Sequence, residues 1–227
     1  MAEGMLRRAG SDGPWKQAGR RFAKNKLALA CVFLLAGIVL LCILAPYIAP
    51  YDYAKISLAE AKCPPSAAHL FGTDGLGRDI LSRLLYGGRI TFRISIGAVV
   101  LSLLGLFFGL AAGYCGGWVD QIIARATDAL ASIPTFLLVI LFECMMGWGK
   151  GNYMYAMALA FMPPLVRLSR GLVLNIMGSE YIEASRALGV SGIKIVSHHV
   201  LRNIAAPVVV HVSSSLAESL LTCTVMS

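Results

Sequence analysis

The chain has 227 residues, of which 57% are hydrophobic and 14% charged, with a mean hydropathy of +0.72. A water-soluble domain carries about 45–50% apolar and about 25% charged residues, so an ordinary soluble enzyme and a disordered chain are both excluded. The net charge of +8 would suit nucleic acid in a soluble protein. Here Arg7, Arg8, Lys16, Arg20, Arg21, Lys24 and Lys26 stand directly ahead of an apolar run, where basic residues mark a cytoplasmic flank, and no nucleic-acid partner is expected. Cys31, Cys42, Cys63, Cys115, Cys144 and Cys223 form no C-x-x-C pair and sit mostly in apolar runs, as buried thiols do. No metal site is expected.

In chain order, residues 1–26 are a basic, cytoplasmic N-terminal segment. Residues 27–49 carry no charge; at about 1.5 Å per residue they cross a hydrocarbon core of roughly 30 Å as an uncleaved first helix. Residues 50–91 form an extracytoplasmic loop or small surface element rich in Pro and Gly, and residues 92–227 a helical core. Ile94 to Cys115 is the second span. Gly105, Gly109 and Gly113 recur along it at four-residue spacing, which lets another helix approach closely, although glycine is also common in membrane helices. A third span, Ala129 to Met146, is interrupted by Pro134 and Glu143. A fourth runs from Asn152 to Val166, with Pro163-Pro164 near its end, and a fifth starts near Ala205. Prolines within spans suggest a packed bundle or a pathway, where neighbours or water satisfy the freed carbonyls. The fold class is an all-α, polytopic membrane bundle.

Charge orients it. With the N-terminus cytoplasmic, thirteen of the twenty cations fall on 1–26, 116–128 and 167–204, the excess expected inside. The last residues, Thr222 to Ser227, lie in an apolar segment with no turn signal, the expectation for a C-terminally truncated chain.

The segment Gly178-Ser-Glu-Tyr-Ile-Glu-Ala-Ser-Arg-Ala-Leu-Gly189 reads as a short cytoplasmic helix. Ser179 is placed to cap it, Glu180 and Glu183 suit the dipole at its start, and Gly189 the left-handed position past its end. A second amphipathic stretch, Ile193 to Asn203, leads back to the membrane. Glu183-Ala184-Ser185, Gly189 and then Val200-Leu201-Arg202-Asn203 resemble the EAA loop of permease subunits of bacterial ABC importers. Four more stretches narrow the resemblance to the C-type permease of the dipeptide, oligopeptide and nickel family. They are His69-Leu-Phe-Gly-Thr-Asp-Gly-Leu-Gly-Arg-Asp79 with Leu81 to Arg89; Ala112-Gly-Tyr-Cys-Gly-Gly-Trp-Val-Asp120 with Arg125, Asp128 and Ile133-Pro134; Arg167-Leu-Ser-Arg-Gly171; and Asn25-Lys26 with Ala45-Pro-Tyr-Ile-Ala-Pro-Tyr51. Two departures are Ser185, where the family usually has Ala, and Arg202, where it usually has Pro.

This resemblance implies a type I importer permease with about five of an expected six spans. It implies a multi-pass protein of the bacterial cytoplasmic membrane, moving di- or oligopeptides; nickel or another small solute is the alternative, and a non-transporting membrane scaffold the rival of a different class. By resemblance, Glu183, Ala184, Ser185, Gly189, Leu201 and Asn203, in a loop at about 175–204, couple the permease to a separate ATPase. The implied partners are cytoplasmic ATP-binding subunits carrying ATP and magnesium, a second permease subunit, an extracytoplasmic substrate-binding protein and the lipid membrane. The chain shows no G-x-x-x-x-G-K-[ST] phosphate loop and no convergent acid, base or metal ligands, so it reads as a transport subunit with no cofactor of its own. Arg186 and Glu183, and Arg125 and Asp128, are spaced to pair along a helix. Glu143 either lines the pathway and meets a cationic group or reaches the outer interface. His211 either faces the pathway or is a satisfied core histidine.

Overall fold

The computed structural model describes residues 19, 22–147 and 149–226; most of the basic 1–26 segment lies outside them. The chain forms two compact units, Met1–Arg89 and Ile90–Ser227.

In the first unit, α1 (Lys26–Ile43) starts at Asn25, whose side chain accepts from the Ala28 amide at 3.2 Å. Its apolar side chains are exposed all round, Leu27, Phe33 and Leu34 among them. A helix with no polar face and little burial is one that lipid covers. After a single turn at Ala45–Ile48 the chain enters a folded loop. Asp74 organises it: Oδ1 accepts the amides of Leu76 (2.8 Å) and Arg78 (3.0 Å), and Oδ2 accepts from the Arg78 guanidinium (2.8 Å). Asp79 is buried and works in two directions. Its Oδ1 meets Nδ1 of buried His69 at 2.9 Å, and its Oδ2 accepts the Ser82 amide at 2.8 Å, capping the next helix. Tyr51 stacks on the His69 ring with centroids 4.6 Å apart. Gly77, at φ 72°, passes so close to the Ser57 carbonyl that no side chain fits there.

The amide of Arg78 above all, helped by its guanidinium and the Leu76 amide, outweighs desolvation and holds the Asp74 carboxyl well below the usual carboxylate range. Burial pushes Asp79 the other way, but the His69 and Ser82 hydrogen bonds prevail, and it too lies low.

The helix α2 (Ile80–Ser102) begins at Ile80, well before the expected Ile94. Arg83, Arg89 and Arg93 hide its first turns from any hydropathy reading. The loop is therefore shorter than residues 50–91.

In the second unit, α2 runs with a break at Leu103 into α3 (Leu104–Cys115); Ile80–Cys115 together form one candidate span. Then follow α4 (Gly117–Ala131), α5 (Thr135–Met146), α6 (Lys150–Met177), the short α7 (Glu180–Ala187) and α8 (Leu201–Met226). The third span expected at Ala129 differs. Residues 117–131 form α4, and α4 and α5 meet at a 92° bend over Ser132-Ile133-Pro134. The fourth span also differs: α6 carries Pro163 and Pro164 inside it and continues to Met177. The fifth begins at Leu201, with Pro207 inside it. Among the described residues, four helices are long and apolar enough to cross a membrane, or five if the bent pair is one span.

The long helix α6 is the axis of this unit, and α3, α4, α5 and α8 all pack on it. Gly105, Gly109 and Gly113 are buried on the face of α3 that meets it. A Cβ on Gly109 would lie 2.6 Å from the Val166 carbonyl oxygen, and one on Gly113 would lie 2.7 Å from Val173 Cβ. Helices in a membrane associate through such close backbone approach, since lipid supplies no hydrophobic drive between them. One apolar cluster gathers Leu138, Val139, Met157, Phe161 and Cys223; a second gathers Leu165, Val173, Ile182, Ile195, Val200 and Ile204.

Candidate functional site

The site is the loop between α6 and α8. It enters at Gly178, and the short helix α7 follows after one residue. Ser179 occupies the N-cap position with extended backbone but does not cap; its hydroxyl donates to the Ile176 carbonyl of the preceding helix at 2.5 Å. So tight a junction gives the hydroxyl a nearer acceptor behind it than the donors ahead.

The end of α7 follows the expected chemistry. Gly189 has φ 78°, its amide donates to the Arg186 carbonyl at 2.9 Å, and the Val190 amide donates to the Ser185 carbonyl at 3.1 Å. These two bonds form a Schellman end, which a left-handed glycine permits. The return leg is a short turn at Gly192–Lys194, then a π turn at Ile195–Val200 that leads directly into α8. The Tyr114 hydroxyl at the end of α3 lies against Gly192, so a side chain there would have to displace it.

Burial divides the loop into anchors and tip. Ile182, Ile195, Val200 and Ile204 are almost fully enclosed in the second apolar cluster. Burying side chains of this size is worth roughly 1.5–3 kcal/mol each. On the other side Leu188 is 85% exposed and Ile193 84% exposed. Glu183, Ala184 and Gly189 are exposed beside them, and Ser185 is half-buried. On the return leg Leu201 and Asn203 are exposed, and the Asn203 amide donates to the Tyr181 hydroxyl at 3.2 Å, tying the two legs together. Arg186 reaches the Met177 sulfur at 3.9 Å instead of pairing with Glu183. Leu188 and Ile193 carry as much of the tip's character as Glu183 does. Their signal in the sequence is two large apolar residues flanking a glycine turn in an otherwise polar loop.

The base of the loop is braced by ion pairs between α4 and α6. Arg170 grips Asp120 with two nitrogens, Nη2 to Oδ2 at 2.6 Å and Nε to Oδ1. Arg167 meets Asp128 at 3.0 Å, so Asp128 is paired across helices and not with Arg125 in its own.

The other predicted residues lie apart from the loop. Glu143 on α5 is buried at 7% exposure. His211 on α8 is half-buried, and its enclosed Nε2 has no hydrogen-bond partner among the described residues. Among the described residues no group of three His, Cys, Asp or Glu could hold a metal ion.

Residues 105–227, which include the braced helices and the whole loop, match the family described as binding-protein-dependent transport system inner membrane component. The chain belongs to this permease family. Residues 13–65 of the permease match a second description, the N-terminal transmembrane domain of oligopeptide transport permease C. The permease is 34% identical over 209 residues to a dipeptide transport system permease protein of Alkalihalophilus pseudofirmus, covering 92% of this chain and 69% of that one. It is 36% identical to an oligopeptide transport system permease protein of Bacillus subtilis, covering 92% and 68%. To a glutathione transport system permease protein of Pectobacterium atrosepticum it is 35% identical, covering 94% and 72%. The permease thus spans about two thirds of the length of the relatives it matches. Its family is one of membrane transport components, not of catalysts.

Proposed function

We propose that this permease is one half of the membrane channel of an ATP-driven importer of di- or oligopeptides. The loop around α7 is the element through which a separate ATPase subunit moves it. The observation that carries this reading is the division of the loop into four enclosed anchors and an exposed apolar tip. Leu188 and Ile193 at more than four-fifths exposure, beside Glu183 and Ala184, form a contact surface awaiting a partner. A tip rooted in the packing of α6 and α8 transmits displacement to the spans, because close-packed interiors pass strain on instead of absorbing it.

On this reading the tip faces the cytoplasm, with the N-terminus on the same side. ATP and magnesium are held by the ATPase subunits. A second permease completes the pathway, and an extracytoplasmic binding protein delivers the cargo. Peptide is the cargo class named for the dipeptide and oligopeptide relatives. Glu143 and His211 are assigned to the pathway's surroundings, Glu143 from within the packed subunit.

The test is uptake of a labelled dipeptide by vesicles holding the full importer. Glu183→Lys combined with Gly189→Pro is expected to abolish ATP-driven uptake with membrane insertion unchanged. Undiminished uptake in that double variant would sink the coupling assignment.

A further inference from the structure

An open cleft of about 530 Å³ lies on the return leg of the loop, lined by Val190, Lys194, His198, His199, Arg202 and Asn203. Among the described residues no carboxylate lines it. Lys194, His198 and Arg202 follow one another at four-residue intervals, the spacing that keeps side chains on one helical face. The π turn at Ile195–Val200 has a wider winding, closing with the Leu201 amide on the Val196 carbonyl. That winding brings the fifth residue back to the same side, which adds His199 beside Lys194. Single π turns of this kind recur at functional sites. Tyr181 supports the cleft from α7: its hydroxyl accepts from the Asn203 amide at 3.2 Å, and its ring lies 6.0 Å from that of His199.

The position is as informative as the composition. Arg202 and Asn203 are the last polar residues before the apolar run of α8 that begins at Ile204. The cleft therefore sits where the chain meets the membrane surface, outside the tip formed by Leu188 and Ile193.

We propose that this cleft binds a phosphate ester, and that its occupant is the headgroup of an anionic phospholipid. Arg202 offers a planar fork matched to two phosphate oxygens. Lys194 offers a point charge, and the imidazoles and the Asn203 amide offer further donors. A basic pocket beside a membrane helix selects anionic headgroups for these reasons. Held there, a lipid would pin the return leg to the bilayer while the tip stays free for its protein partner. The proposal is independent of whether the tip engages an ATPase.

The experiment uses the whole chain in nanodiscs of phosphatidylcholine doped with phosphatidylglycerol, with retained lipid counted by native mass spectrometry. Lys194→Gln with Arg202→Gln is expected to weaken retention of phosphatidylglycerol about fivefold per cation removed. Lys55→Gln with Arg125→Gln, which removes the same charge from exposed positions elsewhere, is expected to leave it unchanged. A second arm titrates inorganic phosphate into all-phosphatidylcholine nanodiscs; saturable binding lost in the Lys194/Arg202 variant would keep the site and reassign it to a soluble phosphate ester. Equal lipid retention by variant and wild type, with no phosphate binding, overturns the proposal. A third arm adds the ATPase subunits to the same nanodiscs; a variant that keeps its lipid but no longer retains an ATPase subunit also overturns the proposal and makes the cleft a protein contact.

Discussion

Arg170 and Asp120 are joined in parallel, guanidinium fork to carboxylate, with Nη2 2.6 Å from Oδ2. The pair is partly enclosed, with side-chain exposures of 35% and 20%, and it ties α4 to α6 just below the loop. Charge-assisted hydrogen bonds contribute about 1.5–3 kcal/mol. Asp120→Asn and Arg170→Met are each expected to destabilise the permease by about that amount. The double variant should fall short of the sum, because either change alone leaves a partner stranded. Thermal unfolding in detergent of the two single variants and the double variant checks this, and strict additivity would show that the bond contributes nothing.

Gly109 lies against Ser169 and the Val166 carbonyl of α6 so closely that a methyl group has no place. The obstacle is backbone, which cannot swing aside. Gly109→Ala is expected to force α3 and α6 apart at roughly 1–3 kcal/mol. Gly171→Ala, on α6 but with nothing near its missing side chain, should be neutral or slightly stabilising. Comparing the yield and melting temperature of the folded protein for these two variants separates close packing from a general intolerance of larger residues.

The Schellman end of α7 depends on the positive φ of Gly189. A branched side chain there costs about 1–2 kcal/mol of backbone strain, whereas asparagine tolerates the left-handed region. Gly189→Val is expected to lower uptake several-fold and Gly189→Asn to retain most of it. If both variants transport equally, the turn does not fix the tip.

Asp74 and Asp79 give the folded loop ahead of α2 a dependence on pH. Both carboxyls are depressed in the folded loop, so the unfolded chain takes up protons first. Their contribution is complete above the unfolded carboxylate value near pH 4 and is lost as pH falls through the lower folded values. Hydrogen exchange over residues 57–82, corrected for intrinsic rates, is expected to show protection constant from pH 7 to 5 and falling below about pH 4. Asp79→Asn should lower protection at neutral pH and flatten the part of the fall that Asp79 carries.

Features set by local rules were legible in the sequence. The all-round apolarity of α1 announced a span, and Gly189 announced the end of α7. What escaped depended on partners far along the chain. Asp128 has Arg125 three residues away on its own helix, yet pairs with Arg167 of α6, which no spacing rule reveals. Pro163-Pro164 reads as a helix end, but α6 runs through it, because the packing of α3, α4, α5 and α8 against it outweighs the lost hydrogen bonds. The polar start of α2 reads as loop because arginines lower hydropathy whether or not the backbone is helical. The tip of the candidate site was half visible: the acidic and glycine positions stood out by pattern. Leu188 and Ile193 became notable only once their exposure was known.

The length of α6 has a mechanical consequence. Its 28 residues extend about 42 Å at 1.5 Å per residue, against a hydrocarbon thickness of about 30 Å. Some 12 Å of rigid rod is left over. If part of it projects on the side of the loop, the tip at Leu188 and Ile193 stands clear of the lipid while the return leg stays at its surface, with Arg167 and Arg170 bracing the stem. A partner could then press on the tip without touching the membrane, and a small push there would be felt as leverage at Pro163-Pro164.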